Sequence, residues 1–335
     1  MKKIVGILTA AAIATSVFAA DISSATKISG KLFDYNAKKT VSLFSEKNDS
    51  HDYAQPNFTM SISDDRAGAK VVITSDGADE IKGITTQTIW FKPVDALKLT
   101  VGTYDIALNK EQIDWTESKT GLGGNGFLAS INVEGFGLDF GLSAHGDSWF
   151  TKEDGKDPTL AQFFVKAAYS ADFGTIGGFA SFNDGVLYDA TSKTDSIKNI
   201  KFGAGYRNNF NGVDAFLNVV GWMGDKFDWI RPELYVSGKA DALGYQLFAA
   251  PLIYTNSDLN KDAECELVAK VTYAMDSITP YAYFKDVNLM AKDFTATIKL
   301  GATGSVGAMG WNTWVQIDVA KDTAFSVPFE LTMNF

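Results

Sequence analysis

The sequence predicts an all-β chain: a transmembrane, antiparallel, up-and-down β-barrel of about 18 strands, with about 16 as the lower count. Three observations carry this expectation. The first is the stretch from Ala324 to Phe335, AFSVPFELTMNF. Phe325, Val327, Phe329, Leu331, Met333 and Phe335 alternate there with Ala324, Ser326, Pro328, Glu330, Thr332 and Asn334. A strict period of two makes a strand with one apolar and one polar face. The second is that such segments recur from Lys27 onward, with no convincing helical period. The third is that the connections between them alternate, short then long. A membrane barrel has this parity because one end carries tight turns and the other carries long loops.

In chain order, residues 1–19 read as an export signal and residues 20–335 as the barrel. Lys2 and Lys3 precede an apolar run from Ile4 to Val17 that is short for a spanning helix, and Val17-Phe18-Ala19 offers cleavage after Ala19. Alternating segments follow near 27–35, 57–63, 69–75, 84–92, 97–105 and 126–133. They continue near 138–146, 161–169, 175–183, 199–207, 213–220 and 231–238. The last six lie near 245–255, 265–274, 279–287, 293–303, 310–318 and 324–335. An extra hairpin around Val41 and Leu43 stays open as an alternative within 36–56. Pro328 removes one ladder donor, so a local bulge is expected beside it. Aromatics gather where segments end, among them Trp90, Phe91, Tyr104, Tyr169, Tyr206, Trp222, Trp229, Tyr254 and Tyr273. Rings with polar tips at strand ends suit the two interfacial girdles of a membrane barrel. A ring of about 18 strands is too wide for side chains to fill, so it encloses water.

Composition narrows the function. The formal net charge of −10 becomes −12 once Lys2 and Lys3 leave with the signal. So acidic a chain lacks the basic face that a nucleic-acid partner would require. Cys265 is the single cysteine, so no internal disulfide forms. His51 and His145 have no second histidine or cysteine at ligand spacing, and no histidine is placed for a hydrolytic triad. Gly121, Gly123 and Gly126 match the spacing G-x-G-x-x-G, but a loop precedes them and an alternating strand follows. A phosphate cradle needs a strand before and a helix after. No cofactor, metal or catalytic site is therefore expected.

With the apolar face set toward lipid, strand parity puts Lys70, Lys98, Lys166, Lys201, Arg207 and Arg231 inside, together with Asp139, Asp214, Glu233, Glu266 and Glu330. Such charges suit a water-filled channel and not a dry core. The whole pattern resembles the general diffusion porins of Gram-negative-type outer membranes. The resemblance implies passive diffusion of ions and small hydrophilic solutes, outer-membrane lipid and the barrel assembly machinery as partners, and a homotrimer. It also implies that Phe335, Met333 and Leu331 serve as the assembly signal. The arginine-rich inner wall and the PEFGG-like loop of enterobacterial porins are missing.

In such porins one long loop folds inward as the constriction. Here that would be 106–125, with Glu111, Asp114 and Glu117 facing Lys70 and Lys98, and Trp115 as an anchor. An acidic loop opposite a basic wall would sort solutes by charge, with a mild cation preference at low salt. Two readings from other classes stand beside it. One is a surface adhesin or structural envelope barrel. The other is a secreted carbohydrate-binding β-protein that uses aromatics against sugar rings. If Phe335 directs assembly, Phe335→Ala lowers the amount of folded barrel in membranes without changing single-channel conductance. Unchanged assembly would remove the role given to the terminal aromatic.

Overall fold

The computed structural model describes residues 21–35, 41–45, 47–48, 51–52, 57–75, 81–111, 113, 119–143, 162–182, 200–224, 226–259, 261–286 and 288–334. Residues 1–19, Asp114, Trp115, Glu117 and Phe335 lie outside them. Alternation turns into strands nearly everywhere the sequence shows it. The barrel strands are β1 (Asp21–Tyr35), β2 (Asn57–Ser63), β3 (Ala67–Ser75), β4 (Ile81–Val94), β5 (Leu97–Tyr104) and β6 (Gly124–Val133). Next come β7 (Phe136–Ser143), β8 (Gln162–Ala171), β9 (Gly174–Phe182), β10 (Ile200–Phe210), β11 (Val213–Met223) and β12 (Phe227–Ala240). The series ends with β13 (Leu243–Tyr254), β14 (Glu264–Tyr273), β15 (Ile278–Asp286), β16 (Ala296–Val306), β17 (Met309–Val319) and β18 (Ala324–Asn334).

Each strand pairs antiparallel with its neighbours in sequence, and β18 pairs with β1 from Asn334↔Ala25 to Phe325↔Tyr35. The ladder thus returns to its first strand, the arrangement by which a spanning sheet avoids a free edge strand. The other edge of β1 is shared. Its first half takes β2, from Asp21↔Ser63 to Lys27↔Asn57, and its second half takes a short strand, Val41–Ser45. The extra hairpin near Val41 is therefore real, and it continues the line of β2 without adding a turn of the barrel. The irregularity expected at Pro328 lies across the ladder, where β1 shifts register between Lys31 and Phe33 opposite Pro328 and Val327. The Thr313 hydroxyl donates to the Pro328 carbonyl at 3.1 Å on the other side.

Connection parity is explained by turn chemistry at one end. Glu134-Gly135 and Asn211-Gly212 both have positive φ at both residues. That is the twist-matched two-residue hairpin turn, which glycine and asparagine adopt at little cost. Among the described residues the one helical turn is the 3-10 segment Ser257–Leu259. No helix of the described chain is long and apolar enough to cross a membrane.

Outward positions are apolar and open, as at Val101, Ile176, Leu217 and Leu300, while Asn218 and Glu233 on the inner face are fully buried. The buried apolar clusters also sit inside the ring, where the segment 105–123 packs on the wall. The aromatic expectation needs correction. Phe91, Tyr169, Tyr206 and Tyr273 are exposed outward, but Tyr104 is buried in the inner cluster and Trp229 packs against it. Trp222 pairs with Trp229, and Trp229 with Tyr254, on the same inner parity. Nearness to a strand end gave height in the membrane, whereas register decides the face. Leu217→Lys, on the outer face in the middle of β11, should destabilise the barrel by about 2–4 kcal/mol if it lies near the midplane. Refolding in lipid against urea measures this, and a change below about 0.5 kcal/mol would contradict the assigned face.

Candidate functional site: the lumen and its inward segment

The wall is built first. Period two sends every second residue of each strand inward, so opposite charges on adjacent strands meet at cross-strand distance. Lys166 donates to Asp139 at 3.0 Å and Arg207 Nε to Asp214 at 2.9 Å. Arg231 on β12 reaches across β13 to donate to Glu266 on β14 at 2.6 Å, and Lys285 Nζ on the adjacent β15 stands 3.5 Å from the same carboxylate. Lys299 lies 5.2 Å from both the Tyr283 and Trp314 ring centroids, a geometry that holds an ammonium by cation–π attraction. The inner wall is charged, yet largely self-paired.

The segment 105–123 then lies against this wall. Its neck is closed by the Ala107–Gly121 bridge and a 2.6 Å bond from the Leu122 N–H to the Ile106 carbonyl. Leu108 and Leu122 pack with Tyr104, Leu128, Phe164, Phe179 and Val220. Ile113 packs further along with Phe216, Tyr235, Phe248 and Val268. Hydrogen bonds fix its position. The Asn109 amide donates to Asn218 Oδ1 at 2.7 Å, the Lys119 N–H to Glu233 Oε1 at 2.7 Å, and Lys201 Nζ to the Gly121 carbonyl at 2.6 Å. Each buried leucine or isoleucine contributes roughly 1.5–3 kcal/mol, against about 1 for a neutral hydrogen bond. Apolar contact therefore supplies most of the hold, and the polar bonds set the register.

Two glycines make room for the segment. Gly177 on β9 and Gly205 on β10 are cross-strand partners. A Cβ at Gly177 would come within 2.8 Å of a Leu108 methyl, and one at Gly205 within 2.8 Å of the Asn109 amide and 2.2 Å of Asn218 Oδ1. Sequence reading passed over these glycines, along with Asn109 and Asn218. The available signal was a glycine on lumen parity in each of two adjacent strands.

The constriction residues proposed from sequence fall in different places. Glu111 is half-buried in the inward segment; Asp114 and Glu117 are outside the described residues. Lys70 is exposed on β3, and Lys98 on β5 lies 4.6 Å from the Trp90 ring centroid. The anchors just described run to β10, β11 and β12. Lys110 bonds the Asp105 carboxylate, and that bond raises the ammonium above its ordinary value, so it stays cationic at neutral pH. Of the assembly residues, Leu331 is half-buried and Met333 exposed on the outer face. Among the described residues no group of three or more His, Cys, Asp or Glu could hold a metal ion.

No family model and no curated protein sequence matches this chain. Solved structures match over nearly all of it. Pseudomonas aeruginosa OccK2 (OpdF) aligns with a TM-score of 0.60 at 10% identity, over 94% of this chain and 97% of that one. Pseudomonas aeruginosa OccK8 (OprE) aligns with a TM-score of 0.59 at 7% identity, over 94% and 98%. A mutant of Rh. blastica porin aligns with a TM-score of 0.52 at 13% identity, over 94% and 100%. At such identities the likeness is one of fold, and the chain has the fold of the outer-membrane β-barrel porins.

Proposed function

We propose that the protein is an outer-membrane channel for passive diffusion of ions and small hydrophilic solutes, exported by its signal segment and assembled as a homotrimer. The observation that carries this reading is the inward segment: a ring with a charged inner face holds 105–123 against one arc of its wall. A segment held inside a wide ring narrows the opening without closing it. The long connections then face outside and the two-residue turns face the periplasm. Glu111, with Asp114 and Glu117 of the same segment, supplies the negative side of the narrowing. Lys70 and Lys98 supply positive charge on strands that precede it.

Planar-bilayer recording tests the proposal. Replacing Glu111, Asp114 and Glu117 together with their amides should move the reversal potential in a salt gradient toward anion preference. The shift should shrink as salt rises, because exposed charges are screened over about 10 Å at 0.1 M. An unmoved potential would remove these residues from the narrowing. Gly205→Leu should dislodge the segment and change single-channel conductance, because the new side chain would occupy the space of Asn109. Wild-type conductance from a folded Gly205→Leu barrel would show that the segment does not set the pore's width.

A further inference from the structure

The backbone ladder between β12 and β13 is interrupted midway. Trp229↔Tyr254 and Ile230↔Ile253 are paired, and pairing resumes in the same register at Leu234↔Ala249. Pro232 and Pro251 face one another in the gap, and neither has an N–H to give. A central barrel strand loses ladder bonds at such a place, so it is an unusual one for two prolines to meet. On the inner face beside this gap lies a cavity of about 450 Å³, lined by Ala250 and Leu252. Its rim carries Lys119, Arg231, Tyr254, Glu264, Glu266 and Asn288. That volume falls within the roughly 300–1,000 Å³ of small-molecule sites.

We infer that this cavity binds a neutral sugar. Three features select that chemistry. Trp222, Trp229 and Tyr254 stand in register on three adjacent strands, with the two indoles stacked at 6.2 Å and 12°. Of these rings Tyr254 lines the cavity itself, with the stacked indole pair continuing the row beyond it. An aromatic ring at a polar cavity suits the C–H face of a pyranose, with hydroxyls directed at the polar lining. The rim's charges cancel, two cations against two carboxylates, and they are already engaged: Arg231 with Glu266, and Glu264 accepting from the Tyr254 hydroxyl at 2.9 Å. A charged solute would have to break these pairs, whereas a neutral polyol need not. Arg231 Nε and Glu266 Oε1 are both buried without a hydrogen-bond partner, on residues that are 4% exposed. Their nearest opposite charges, Glu233 Oε1 at 3.4 Å and Lys285 Nζ at 3.5 Å, are ion-pair contacts. One donor and one acceptor on residues lining the cavity are thus each short of a bond, of the kinds that a polyol's hydroxyls supply. Lys261 rests 5.3 Å from the Tyr254 ring centroid, an exposed side chain that an arriving sugar would displace.

The inference leans on the channel reading only for placing the cavity on a solute's path; binding is measured separately. Calorimetry on the folded full-length protein, titrated with glucose, maltose and sucrose, should show saturable binding by at least one of them. Tyr254→Ala should weaken it by about tenfold or more, and Tyr254→Phe, which keeps the ring, by less than about threefold. Should Tyr254→Ala fail to fold, wild-type tryptophan emission gives a second reading. It should change on adding the bound sugar, and Trp229→Phe should abolish the change. No binding of any of the three sugars overturns the inference, as does equal binding by a folded Tyr254→Ala. Free lysine or glutamate binding more tightly than the sugars would overturn the neutral-ligand assignment. Sugar binding by a protein that never conducts would sink the channel reading and leave the site standing.

Discussion

The pairing of β18 with β1 is the constraint from which the rest follows. In hydrocarbon no water is present to take an exposed N–H or C=O, so a spanning sheet must have every backbone group paired around a closed ring. Once the ring closes, period two fixes both faces. Outward residues meet lipid and are apolar, and inward residues meet water and carry the charges. A ring of eighteen strands is then too wide to be filled by its own side chains. The inner wall needs no core, and the space can be occupied by chain or left to solvent. The lapses in the ladder, beside Pro328 and between Pro232 and Pro251, are the places where this rule is relaxed.

The segment 105–123 uses the space asymmetrically. Its apolar residues lie on inner-face rings of β8 to β15, and glycines at 177 and 205 lower the wall to receive Leu108 and Asn109. Its polar register comes from Asn218 and Glu233, both fully buried once the segment is in place. A buried carboxylate is tolerable only when it is well paired. Glu233 meets that condition through the Lys119 N–H at 2.7 Å, the Asn218 amide at 3.4 Å and Arg231 Nε at 3.4 Å. The wall and the segment therefore stabilise each other. Removing the segment would uncover the aromatic patch and take from this carboxylate its shortest hydrogen bond, that of the Lys119 N–H.

The fold was largely legible in the sequence. Alternation is a local property, and segments such as 126–133, 175–183 and 265–274 reappear within a few residues of β6, β9 and β14. Turn chemistry is local too, as Glu134-Gly135 and Asn211-Gly212 show. The site was less legible because it depends on register. Gly177 and Gly205 matter as cross-strand partners under Leu108, residues far apart in sequence. Trp222, Trp229 and Tyr254 were expected in the outer girdle, since their nearness to strand ends was visible and their face was not. The gap in the ladder at Pro232 and Pro251 likewise arises because two prolines in different strands fall opposite each other.

The central claim is that the segment 105–123 lies in the permeation path, and chemical access to one of its side chains tests it most directly. Cys265→Ser first removes the native thiol. Glu111→Cys is then introduced and the reconstituted protein is recorded while a charged thiol reagent is added to either side. If the segment narrows an open channel, modification should lower the current in discrete steps and alter ion preference according to the reagent's sign. A conducting channel whose current and selectivity are unchanged after complete modification of the cysteine would contradict the claim.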